Sequence, residues 1–191
     1  MEKILVIDNY DSFTYNLVHL IKELTDKPVD IYRNDQIEIE AVDKYDTIVL
    51  SPGPGIPDEA GRLKEIIQAY APTKKILGVC LGQQAIGEVF GSKLKNLDNV
   101  FHGVETPMTQ TENPGPLFKG IDKTFQAGRY HSWVINKDTL SDKLEITCID
   151  EYDEIMGIKH KDYQVYAIQF HPESVLTPDG ETMISNFLYN C

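Results

Sequence analysis

Residues 4–91 alternate short apolar runs with helical apolar patterns, an order that favours a parallel sheet flanked by helices. Ile4 to Ile7, Val29 to Tyr32, Thr47 to Leu50 and Ile76 to Val79 read as buried strands. Phe13, Leu17, Leu20, Ile21 and Leu24 mark a helix face capped by Asp11 or Ser12, with Pro28 beyond its end. Leu63, Ile66, Ile67 and Tyr70 mark a second helix that must stop before Pro72, and Ala85, Ile86, Val89 and Phe90 a third, with Gly91 past its end. Beyond Ser92 the texture changes. Turn formers such as Asn113-Pro114-Gly115-Pro116 and weak strand signals near Val104 and Phe125 predict antiparallel ribbons and loops. Leu144 to Ile149, Ile155 to Ile158 and Val165 to Phe170 read as strands, and Met183, Ile184, Phe187 and Leu188 as a closing helix. The expected class is therefore α/β: a mostly parallel open sheet flanked by helices with an additional antiparallel ribbon. No repeat or linker divides the chain, so residues 1–191 are expected to form one domain.

Composition narrows the partners. With 30 acidic against 18 basic side chains the net charge is −12, and no basic stripe interleaves with aromatics, so nucleic acid is not an expected partner. The longest run free of Asp, Glu, Lys and Arg, Ile76 to Gly87, is too short to cross a bilayer, and no membrane association is expected. Strand-like sequence starts at Ile4 without a signal-peptide pattern, and Cys80, Cys148 and Cys191 form no Cys-x-x-Cys pair. A cytoplasmic location is the expectation.

The sharpest chemical signal is Gly78-Val79-Cys80-Leu81-Gly82, with glycines two residues either side of a nucleophile-type side chain at a strand-to-helix junction. It is the cysteine analogue of the Gly-x-Ser-x-Gly elbow: the glycines permit a tight turn that lifts the central side chain to the carboxyl edge of the sheet. A helix N-terminus and a nearby imidazole would favour the thiolate, the nucleophilic form. A lone cysteine is more commonly a small buried residue, and Cys148, inside an apolar strand, is read that way. His171-Pro172-Glu173 supplies a base and an orienter, with Pro172 predicted to hold the segment extended so that His171 and Glu173 share one face. A metal pair is the rival reading, but no third ligand has recognisable spacing. His19, His102, His131 and His160 read as surface or satisfied polar groups. An oxyanion hole would draw on the Leu81 amide and on Ser51-Pro52-Gly53-Pro54-Gly55, whose glycines let backbone amides approach a substrate. Neither a dinucleotide glycine motif nor a Walker lysine motif is present, and no cofactor is expected.

In this order, Ser-Pro-Gly-Pro-Gly, Gly-Val-Cys-Leu-Gly and His-Pro-Glu resemble the triad, or class I, glutamine amidotransferases. Asp8 to Leu17, Tyr130-His131-Ser132-Trp133 and Gln169 to Ser174 look like the glutaminase subunits of anthranilate synthase and aminodeoxychorismate synthase. The resemblance implies that fold and a reaction in which Cys80 attacks the side-chain amide of glutamine, His171 shuttles protons and Glu173 orients His171. It implies that Gly53 and Gly55, with Pro54 between them, lie at the glutamine site with the Leu81 backbone. Gln84 would contact glutamine, and Ser132 and Trp133 would hold its α-amino and carboxylate end through backbone groups. It further implies ammonia delivery to a chorismate-using synthase subunit near the Asp8–Phe13 segment, and low activity until that partner docks.

Three positions depart from the family pattern. Gln83 stands where a His is usual, with activity expected to survive but helix packing or partner coupling to differ. Val104 replaces a common Lys. Trp133 replaces a usual Leu, placing a larger side chain beside the glutamine site. A stand-alone cysteine hydrolase and a non-catalytic binding subunit are the readings from other classes.

Overall fold

The four apolar runs of the first half become strands, and the three helical patterns become helices. The computed structural model describes residues 1–191 and opens with β1 (Ile4–Asp8), α1 (Thr14–Leu24), β2 (Val29–Arg33), β3 (Thr47–Leu50), α2 (Leu63–Tyr70), β4 (Lys75–Val79) and α3 (Leu81–Val89). Neither candidate cap holds α1: Phe13 occupies the cap position without a side-chain cap bond, and Asp11 Oδ1 accepts the Phe13 N–H (2.8 Å) in the turn before the helix. There follow β5 (Leu94–Asn96), β6 (Val104–Gln110), β7 (Thr124–Arg129), β8 (Trp133–Ile135), β9 (Leu144–Asp150), β10 (Ile155–His160), β11 (Val165–Ile168) and α4 (Gly180–Tyr189).

Nine strands form one sheet in the order β2-β1-β3-β4-β11-β10-β9-β6-β7. The pairs from β2 through β11 are parallel and the rest are antiparallel, so the antiparallel part continues the main sheet. A separate two-stranded ribbon joins β5, in the stretch read as antiparallel ribbons and loops, to β8, for which the sequence reading names no strand. Three residues per strand are too few to show an alternation. β11 stops two residues short of the expected Phe170. Its parallel partner β4 ends at Val79, so beyond Ile168 the backbone keeps only its β10 neighbour and then reaches β7: Gln169 N–H donates to Met156 C=O (2.8 Å) and His171 N–H to Gly128 C=O (3.0 Å).

Alternation along β1 feeds two cores. Ile4 and Val6 pack on one face with Leu17 and Ile21 of α1 and Met183 and Phe187 of α4. Leu5 and Ile7 pack on the other with Ile66 and Ile67 of α2 and Ile86 of α3. Burial on both faces explains why β1 is apolar until Asp8. The carboxyl ends of the parallel strands share one edge, which brings the segments after β1, β3, β4 and β11 together, the usual place for a ligand on an open α/β sheet.

Candidate active site

Cys80 sits between β4 and α3 with φ +55° and ψ −102°, outside the regions a side chain prefers. The two glycines make that turn possible. A Cβ on Gly78 would stand 2.6 Å from Ile86 Cδ1, and one on Gly82 would stand 2.8 Å from Leu50 C=O. Without them α3 could not start directly above β4. Cys80 N–H donates to Ile168 C=O (2.8 Å), tying the elbow to β11.

His171 is held on three sides. Its N–H is taken by Gly128, its C=O accepts Thr177 Oγ1 (2.7 Å), and Thr177 Oγ1 also accepts the Gly128 N–H (2.9 Å). The segment is not extended as expected: Ser174 N–H closes a turn on His171 C=O at 3.2 Å, with Pro172 supplying the fixed φ of the second turn position. The turn still sets Glu173 beside the ring, Oε1 2.6 Å from Nδ1 with both side chains buried. Burial alone would drive the imidazole towards its neutral form. Hydrogen-bonding and charge interactions with Cys80 and Glu173 outweigh it and raise His171 to about 10. Phe13 and Tyr130 wall the ring, with centroids at 5.4 and 4.7 Å, and Tyr130 Oη shares a hydrogen bond with Ser174 Oγ (3.1 Å).

Cys80 lies where two cavities meet. One, of about 200 Å³, is lined by Gly53, Pro54, Gly55, Gln84, Ser132 and Trp133, so the glutamine-contact residues named from sequence converge here, with Leu81 packed under Gly53. The other, of about 400 Å³, opens past Tyr10, Phe13, His102, Tyr130 and His171. Gly53 has no room for a side chain, since a Cβ would stand 2.6 Å from Asn9 Cβ and 2.7 Å from Leu81 Cδ2. Asn9 anchors this loop: its amide donates to Ser51 C=O (2.7 Å), its backbone N–H to Ser51 Oγ (2.9 Å), and Asn34 fixes its Oδ1 (2.9 Å). Gly55 adopts φ +70°.

The backbone at Trp133 is oriented by its ladder. Leu97 N–H donates to Ser132 C=O at 2.7 Å, which makes Asn96 and Trp133 a pair whose own N–H and C=O point away from each other. Trp133 C=O accordingly accepts Gln84 Nε2 (3.0 Å) and His131 Nδ1 (3.0 Å). Gln84 Nε2 also donates to Gln169 Oε1 at 3.3 Å, while no protein group donates to Gln84 Oε1.

His131 is satisfied, as expected, but it lines the first cavity, which the sequence reading did not anticipate. Arg129 Nε donates to its Nε2 (3.1 Å) and Arg129 Nη1 to Asp150 Oδ2 (2.9 Å), and Phe101 lies 3.6 Å beneath the guanidinium. Burial first, then the Arg129 charge, depress His131 to about 3. Gln83 is fully buried with neither amide atom partnered. Val104 opens β6 opposite Arg129 with its side chain exposed. No cluster of three or more His, Cys, Asp or Glu side chains is spaced to hold a metal ion.

A cysteine on an elbow, an imidazole raised by its neighbours and a carboxylate behind it are an arrangement chemically suited to acyl transfer through a thiol. The chain belongs to the class I glutamine amidotransferase family, whose sequence profile matches residues 5–191. It is 45% identical over 187 residues to anthranilate synthase component 2 of Lactococcus lactis subsp. lactis, covering 97% of this chain and 93% of that one. It is 43% identical over 188 residues to aminodeoxychorismate synthase component 2 of Escherichia coli, covering 97% and 99%. Among solved structures, a glutamine amidotransferase from Thermotoga maritima shares the fold with a TM-score of 0.81 at 14% identity, covering 99% of this chain and 97% of that one.

Proposed function

We propose that the chain is the glutaminase subunit of a chorismate-using synthase, with Cys80, His171 and Glu173 as its triad. The observation that carries this reading is Cys80 on its strained elbow beside the His171–Glu173 pair, at the mouth of a cavity lined by Gly53, Gly55, Gln84 and Trp133. The Cys80 thiolate attacks the side-chain amide carbon of glutamine. The oxyanion is received by the Leu81 N–H and the Gly53–Gly55 loop, and the His171 imidazolium gives its proton to the departing amine. Ammonia leaves and a glutamyl thioester remains. Water, deprotonated by His171, attacks the thioester carbon; the thiolate departs and glutamate is released. Gln84 Oε1, which takes no protein donor, is free to accept from the α-amino group. The outward-facing Trp133 N–H suits the α-carboxylate together with Ser132.

The synthase product is read as anthranilate, with aminodeoxychorismate as the alternative, and one chain serving both is a third outcome. Relatives bearing the two names match at 45% and 43% identity over nearly the whole chain, so similarity alone does not separate them. A cytoplasmic heteromer is the setting this reading calls for; separately, no helix is long and apolar enough to cross a membrane. The test mixes the chain with glutamine, chorismate and each candidate synthase subunit from the same organism, and identifies the product. Cys80→Ala should abolish glutamine-dependent synthesis and leave synthesis from free ammonia intact. Loss of both would count against the reading, and turnover of peptides without a partner would favour a stand-alone hydrolase.

A further inference from the structure

We propose that Gln169 is a further catalytic residue: its side-chain amide donates to the Cys80 sulfur and steadies the thiolate, while Gln84 fixes which end of that amide faces the sulfur. This rests on the reading of Cys80 as the nucleophile and adds a group to it. Gln169 is fully buried, and its Nε2 lies 3.4 Å from Cys80 Sγ. It leaves the line of β11 just where that strand loses its parallel partner, so its side chain is placed by the same backbone departure that places His171.

An amide can present either a donor or an acceptor, and only a donor favours a thiolate. The direction here is set from a group that cannot reverse. Trp133 C=O is an acceptor only, so Gln84 must present its NH2, at 3.0 Å. The second hydrogen of that NH2 goes to Gln169 Oε1 at 3.3 Å, and Gln169 is left with its own NH2 aimed at the sulfur. Trp133 C=O is itself held by His131 Nδ1–H, because Nε2 of that ring is occupied by the Arg129 Nε–H, and Arg129 is held by Asp150. A backbone carbonyl at the glutamine cavity thus determines the polarity of a hydrogen bond at the reacting atom. Flipping Gln169 would set its acceptor oxygen against sulfur and its NH2 against the Gln84 NH2, two mismatches in one buried step.

The titratable groups around the sulfur are His171, with Glu173 behind it, and Tyr10, Asp11, His102, Tyr130 and His131 on the cavity walls. Because these stay in place when Gln169 is changed, the pH dependence of Cys80 alkylation reads the Gln169 bond. Iodoacetamide labelling is followed against pH in the full chain for wild type, Gln169→Leu and Gln169→Glu, with Cys80→Ser giving the background from Cys148 and Cys191. The midpoint of the profile should move up by about 1 pH unit in Gln169→Leu and further in Gln169→Glu, as expected for a lost hydrogen bond to a charged group. All three should converge on one alkaline plateau, since thiolate occupancy changes and access does not. Superimposed profiles, or a lower plateau with an unmoved midpoint, would overturn the proposal.

If both variants fail to fold, wild-type protein labelled with 15N-glutamine decides. One side-chain amide resonance should move through the Cys80 titration and lose that movement in Cys80→Ser, and the absence of any such resonance overturns the assignment. Glutamine hydrolysis by Cys80→Ala would sink the parent reading by itself, so the two failures are distinguishable.

Discussion

Glu173 Oε1 lies 2.6 Å from His171 Nδ1 with both side chains buried, and in the proposed mechanism the pair sets the pH range over which His171 acts as an acid. Burial lowers the imidazole, but Cys80 and Glu173 raise it to about 10. In the proposed mechanism His171 is therefore protonated, and able to hand a proton to the departing amine, well above its ordinary range. Glu173→Gln keeps an acceptor for Nδ1 and removes the charge, so the imidazole falls and proton donation fails at lower pH. The basic limb of glutamine-dependent kcat/KM should move down by roughly 1 pH unit or more. An unmoved limb with reduced kcat would assign Glu173 to ring orientation alone.

His131 makes the opposite stability statement. Its folded value of about 3 lies below the ordinary 6.5, so between those limits the unfolded chain binds the extra proton. The stability tied to neutral His131 is present above about pH 6.5 and is lost as pH falls towards 3. His131→Gln retains one donor and one acceptor without a titration, and should flatten the fall of melting temperature between pH 6.5 and 4. A slope equal to that of wild type would show that other groups govern the acid limb.

What could be read in the sequence follows from where the signal sits. Cys80, His171 and Glu173 stand beside backbone punctuation: Gly78 and Gly82 are needed because α3 presses on β3 and β4, and Pro172 because the chain turns there. Such positions announce themselves locally, even though Pro172 builds a turn and not the expected extended segment. Arg129 and Asp150 do not, since each is an ordinary charged residue until the order β9-β6-β7 brings them together. Gln169 is likewise only the residue before Phe170 and His171 until β11 leaves β4 and turns its amide to Cys80. Short strands β5 and β8 lacked a period to read, yet their register is what points Trp133 at the cavity.

The Arg129–Asp150 pair is almost wholly excluded from solvent, so removing one partner strands the other's charge. Asp150→Ala should cost about 3–5 kcal/mol in urea unfolding, because Arg129 cannot be solvated where it lies. Removing both charges together, as Arg129→Met with Asp150→Leu, should cost less than the single change. The same double variant frees His131 Nε2 of its donor, and glutamine KM should rise through the Trp133 backbone even where stability is recovered. Additive costs in the two singles and the double would argue that the pair is not coupled.

Gln83 offers the converse experiment. It is fully buried in the first turn of α3, one residue before Gln84, and neither its Nε2 nor its Oε1 meets a partner. An unmade amide hydrogen bond in a dry site costs about 1–3 kcal/mol, and a thioether of similar length carries no such cost. Gln83→Met should therefore raise the unfolding midpoint in urea by an amount of that order while leaving glutamine KM unchanged, since Gln83 does not line the cavity. Because helix propensities of Met and Gln are close, a gain would come from the amide and not from the backbone. A neutral or destabilising outcome would mean that the amide is hydrogen-bonded in solution, and ordered water beside α3 would then be the first place to look.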